Sequence, residues 1–77
     1  MKPKSVTILQ PKTWTPSDGA DAIIETRHDD LEAGFAYWNA SDRDENWVSV
    51  WECNEIYFDR KCVASNRYGI EPLPDPE

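Results

Sequence analysis

The stretch Phe35–Trp51, FAYWNASDRDENWVSVW, limits what this chain can fold into more than any other. It holds five of the nine aromatic residues, divided between two short apolar runs. The first run, Ala33 to Trp38, is dense in aromatics and short for a helix. The second, Trp47 to Trp51, is β-branched or aromatic almost throughout. Both suit a pleated, half-buried surface. The connector between them, Asn39 to Asn46, is built from side chains that favour turns. The expectation is an antiparallel hairpin with a long polar tip. One register sets Phe35 and Tyr37 opposite Val50 and Val48 and gathers Trp38, Trp47 and Trp51 on the reverse face. A slip of one residue mixes the two sets. In the first register an aromatic patch stays exposed, as binding surfaces often are. The plainer reading uses every one of these rings as core, because small domains need them.

Other strands are read on either side of this hairpin. Ser5 to Gln10 alternates and contains Val6, Ile8 and Leu9. Pro11 and Pro16 interrupt pairing, and Ser17-Asp18-Gly19 signals a turn. Ala22 to Arg27 reads as a second strand, and His28-Asp29-Asp30 as a turn. Leu31 to Trp38 reads as a third strand, with Leu31, Ala33, Phe35 and Tyr37 on one face. Gly34 weighs against a helix there. Trp47 to Cys53 is the fourth strand, Ile56 to Phe58 a fifth, and Cys62 to Ala64 a continuation. A short helix over Glu55 to Ala64 is the rival reading. Tyr68 to Ile70 adds an edge strand. The expected fold is therefore all-β or β-rich: one small twisted antiparallel sheet or incomplete barrel over residues 1–70. Residues 71–77 form an acidic, proline-rich tail that can be neither helix nor inner strand.

Seventy-seven residues make one domain. Mean hydropathy is −0.75, and no apolar run approaches the roughly 20 residues of a membrane helix. The first ten residues do not form a secretory signal, so a cytoplasmic location is expected, or host cytoplasm for a viral source. Fifteen acids against eight bases give a net charge of −7. Lys2, Lys4 and Lys12 lie in an N-terminal stretch without acids, which leaves the remainder more negative still. Such a body repels nucleic acid and attracts basic surfaces, including those that normally hold nucleic acid.

Motifs for chemistry are sparse. Asp42, Asp44 and Asn46 match the start of a calcium loop, but Trp47 stands where Gly is needed and Cys53 where a bidentate Glu belongs. Cys53 and Cys62 are expected as reduced thiols, with a disulfide left open because strand pairing can bring them close. One histidine and two cysteines without C-x-x-C spacing make no zinc site. His28 beside Asp29 and Asp30 has the makings of an oriented base but reads more simply as a turn residue. Walker, dinucleotide and nucleophile-elbow motifs are missing from the sequence. The expectation is no enzyme and no cofactor.

Trp14-Thr15-Pro16-Ser17-Asp18-Gly19 together with Ile70-Glu71-Pro72-Leu73-Pro74-Asp75-Pro76 resembles the opening and ending of small phage and prophage proteins of unknown function. Those begin with Trp-x-Pro and a turn and close on Pro-Leu-Pro-x-Pro, and Ala33-Gly34-Phe35 resembles their central strand. Tyr68-Gly69-Ile70 departs from their His-Trp-type pair, and Ser5 to Gln10 lies outside the pattern. The resemblance implies a phage origin and supplies no catalytic residues.

The function expected from these features is a non-enzymatic protein-binding inhibitor of a nucleic-acid-handling host system, of anti-CRISPR or anti-restriction type. Asp29, Asp30, Glu32, Asp42, Asp44 and Glu45 would mimic phosphates against a basic surface of a host protein or nucleoprotein complex. Trp38 and Trp47 would be the desolvated anchors. Direct nucleic-acid or membrane binding is not expected. The alternative is a structural or adaptor domain of a phage or bacterial assembly, using a sheet edge or the tail.

Overall fold

In the computed structural model, which describes residues 3–71, β1 spans Lys4–Pro11 and β3 spans Asn46–Cys53. These two segments pair antiparallel over their whole length, from Lys4 opposite Cys53 to Pro11 opposite Asn46. β2 (Ile24–His28) pairs with the free side of β1, and β4 (Lys61–Ser65) with the free side of β3. The result is an open four-stranded antiparallel sheet of order β2-β1-β3-β4. It is β-rich, as the sequence led one to expect, and it is not closed into a barrel. The proline-rich residues 72–77 lie outside the described residues.

The hairpin expected over Phe35–Trp51 does not form. Its first run belongs to a helix, α1 (Leu31–Ala40). Asp30 caps the helix, its Oδ1 accepting from the Ala33 amide at 2.7 Å. Such a cap stabilises a helix by about 1 kcal/mol. Leu31, Gly34, Phe35 and Trp38 follow the spacing of one helical face. Gly34 is required by packing. A Cβ there would lie 2.5 Å from Ser5 Oγ, 3.0 Å from Ser5 Cβ and 3.1 Å from Val50 Cγ1. The glycine thus lets the helix backbone approach the sheet closely, and this tertiary gain overrides its poor helix propensity. At the other end Ser41 closes α1, its amide donating to the Trp38 carbonyl at 3.2 Å and its hydroxyl to the Tyr37 carbonyl at 2.6 Å.

The core lies between α1 and one face of the sheet. Trp38, Val48, Val50 and Ala64 are buried there, with Leu9, Leu31, Phe35, Tyr37 and Val63 against them. Val50 and Val48 stand opposite Thr7 and Leu9 of β1, not opposite Phe35 and Tyr37. Buried polar groups on this face are satisfied, as burial demands. Ser5 donates to the Asp30 carbonyl at 2.7 Å, and Thr7 Oγ1 is 2.9 Å from His28 Nε2.

The remaining expectations are corrected locally. Residues Ala20–Ala22 form a 3-10 turn, so the second strand begins at Ile24. Ile56 to Phe58 is not a strand but the tip of the β3–β4 loop. Cys62 to Ala64 is a strand, so the rival helix is replaced by β4, with a register irregularity opposite Val50 and Trp51. The edge strand expected at Tyr68 to Ile70 reduces to a single bridge between Ser65 and Ile70.

Candidate functional site

α1 divides the acidic residues into two groups. Asp29, Asp30 and Glu32 lie at its N-terminal end, and Asp42, Asp44 and Glu45 lie in the connector from its C-terminal end to β3. Ten helical residues span roughly 15 Å, so the helix acts as a spacer between them. Asp30 is partly committed as the cap. Asp42 Oδ1 accepts from the amides of Asp44 and Glu45 at 2.9 and 3.2 Å, which fixes the turn that carries them. Asn66 locks the same connector to the sheet. Its Nδ2 donates to the carbonyls of Arg43 and Asn46, and its Oδ1 accepts from Val48 N.

Few of these charges are neutralised. Among the described residues the ion pairs are Lys4–Asp29 at 3.9 Å and Arg60–Glu25 at 2.7 Å. Exposed pairs of this kind contribute little. Four of the other described cations lie over rings: Lys12 over Trp47 and Arg43 over Trp38 at 4.7 Å, Arg27 over Tyr57 at 4.9 Å, Arg67 over Tyr68 at 6.0 Å.

The two expected tryptophan anchors separate. Trp38 is only 5% exposed, inside the core beneath α1, with Arg43 lying over its ring and donating to its carbonyl. It offers nothing to a partner, which corrects the anchor expectation: the residue is helical and faces the sheet. Trp47 follows the acidic connector directly and lines the opposite, helix-free face. There it joins Trp51, whose indole N–H donates to Ser49 Oγ at 2.9 Å. Tyr68, 64% exposed, completes an aromatic surface with Ile8 and Arg67. The alternation Trp47-Ser49-Trp51 already placed these side chains on one face. Which face stays open depends on α1, and a strand reading of Leu31 to Trp38 does not show it.

The β3–β4 loop is a second unforeseen feature. Ile56 and Phe58 are 65% and 64% exposed, yet the loop is tightly bonded. Asn54 Oδ1 accepts from both their amides at 3.0 Å, and Asn54 N donates to the Phe58 carbonyl. Tyr57 and Asp59 hold positive φ of 63° and 53°, conformations that non-glycine residues adopt only when their surroundings enforce them. The Tyr57 ring turns back toward Lys4 and Arg27, and Arg60 joins the Tyr57 carbonyl to Glu25. The loop therefore presents two apolar side chains on a fixed frame.

The histidine and the two cysteines have defined places in the fold. His28 ends β2 instead of lying in an exposed turn, bonded to Thr7 and tilted against Tyr37 at 5.6 Å. Both cysteines are free thiols. Burial pushes the Cys53 thiol up, against the opposing pull of Arg60, Arg27 and Lys4, and burial likewise raises Cys62. Both are thus poorer nucleophiles than an open thiol. No helix among the described residues is long and apolar enough to cross a membrane. Compared with protein-family models, with curated proteins and with solved structures, the chain matches none.

Proposed function

We propose that this chain is a non-enzymatic protein-binding module that meets a positively charged partner through the carboxylates at the two ends of α1. The observation that carries the reading is the combination of mostly unpaired acids there with cations that lie over aromatic rings instead of neutralising them. Asp29, Glu32, Asp44 and Glu45 are all exposed. The connector holding the last two is fixed by Asp42 and Asn66, so little ordering entropy opposes contact. Opposite charge raises the rate of encounter and sets the orientation of docking.

The partner is a basic surface of a host protein or nucleoprotein complex, one shaped to hold phosphates. Inhibition of a nucleic-acid-handling host system, as by anti-CRISPR or anti-restriction proteins, follows from that chemistry as the concrete form of the proposal. Affinity capture of candidate nucleic-acid-handling host proteins at low and high salt tests it. Capture should fall steeply with salt, and the full-length variant Asp44→Lys/Glu45→Lys should lose it. Undiminished capture by that variant overturns the reading. The fixed, exposed pair Ile56 and Phe58 favours a second reading, an adaptor domain. Its binding would survive both salt and charge reversal and fail on Phe58→Ser.

A further inference from the structure

The face of the sheet opposite α1 bears a shallow cavity of about 150 Å³. Most small-molecule sites fall between about 300 and 1,000 Å³, so this one is too slight for such a ligand. We propose that it binds a proline-rich peptide in the polyproline II form that also carries a carboxylate. This site borders the acidic connector at Trp47, but its assignment does not depend on the reading given for the carboxylates.

Three observations support the assignment. The lining is aromatic, with Trp47, Trp51 and Tyr68 around Ile8 and Ser49. Proline rings stack on such surfaces, and a polyproline helix arrives already ordered. One indole is also held in place, Trp51 by its bond to Ser49. A held ring loses less freedom on binding. Polyproline carbonyls have no internal partners, and Gln10 and Arg67 bring side-chain donors to the lining.

The local charge then selects the peptide. Arg67 is the charged residue of the lining, and Lys12 lies over Trp47 beside it. In a chain of net charge −7 this is a reversal of sign. Guanidinium pairs well with carboxylate, so the peptide should carry Asp or Glu near its prolines.

The test is titration of the full chain with three synthetic peptides of equal length. One alternates proline with leucine and aspartate, one replaces aspartate by lysine, and one replaces proline by glycine. Tryptophan fluorescence and indole N–H chemical shifts are read. The aspartate–proline peptide should saturate with shifts at Trp47 and Trp51, and each substitute should bind about tenfold more weakly. Arg67→Glu should erase the preference for aspartate over lysine. Tyr68→Ala should weaken binding while the circular dichroism of the fold stays unchanged. The same titrations use a full-length variant with Pro72→Ser, Pro74→Ser and Pro76→Ser, so that the chain's own proline-rich end cannot mask the site. No saturable response in either protein overturns the proposal. So does equal binding of the glycine peptide, or shifts confined to the Ile56–Phe58 loop. Concentration-dependent shifts at Trp47 and Trp51 without peptide would show a second copy there and overturn it as well.

Discussion

Replacing Gly34 by alanine sets two effects of opposite sign against each other. In an isolated helix the change gains about 1 kcal/mol. Here the new methyl would stand 2.5 Å from Ser5 Oγ, 3.0 Å from Ser5 Cβ and 3.1 Å from Val50 Cγ1. The hydroxyl can rotate away, but it then surrenders its 2.7 Å bond to the Asp30 carbonyl. A buried hydroxyl left without a partner costs about 1–3 kcal/mol. The other two contacts are carbon against carbon, and relieving them lifts α1 from β1 and β3, an overpacking cost of about 1–3 kcal/mol. The sum is a net loss of about 1–5 kcal/mol. In a domain of this size each kcal/mol lowers Tm by about 4–8 °C. Thermal and urea unfolding of Gly34→Ala, Ser5→Ala and the double variant measure it. The second substitution removes the nearest atom, so the double variant should be more stable than additivity predicts, by about 1 kcal/mol. An unchanged or raised Tm for Gly34→Ala would refute the close approach of helix and sheet.

Other substitutions probe the same architecture. Trp38→Ala should destabilise by about 3–5 kcal/mol, because the ring fills the core beneath α1; urea unfolding should show this even where no partner is present. Asp30→Ala removes the cap from Ala33 N and should cost about 0.5–2 kcal/mol, with helical circular dichroism lost first on heating. The two thiols are raised by burial in the folded state and titrate near the ordinary value once unfolded. Above about pH 9 the unfolded chain sheds these protons first, so stability present below that pH should decline as pH rises; Cys53→Ser/Cys62→Ala should flatten the decline. Native alkylation should reach Cys62 before the buried Cys53.

Much of the sheet was legible in the residues. β1 and β3 announce themselves through Val6, Ile8, Val48 and Val50, whose branched side chains recur with a period of two. The helix was hidden by a coincidence of spacing. Leu31, Ala33, Phe35 and Tyr37 fit a strand, while Leu31, Gly34, Phe35 and Trp38 fit one side of a helix, and eight residues are too few to separate the patterns. Asp30 ahead of Leu31 was the available signal, an N-cap candidate with Glu32 in the first turn. Gly34 pointed the wrong way because its purpose is tertiary, a close approach that no local propensity records. Ile56 and Phe58 misled for a different reason: two large apolar residues normally mean a buried strand, and here they are held outward by Asn54. The acidic residues are plain in the sequence as residues, but their division into two groups depends on α1 and is not legible without it.

The habit of placing bases over rings has a consequence for behaviour in electrolyte. A fold held by internal ion pairs softens as ions are added; among the described residues this one has few to lose. Salt at 0.1 M largely screens exposed charges more than about 10 Å apart, which relieves the summed repulsion among its carboxylates, so moderate sodium chloride should firm the native state. The same ions would loosen any grip on a cationic partner, which separates self-cohesion from association in a single series of buffers.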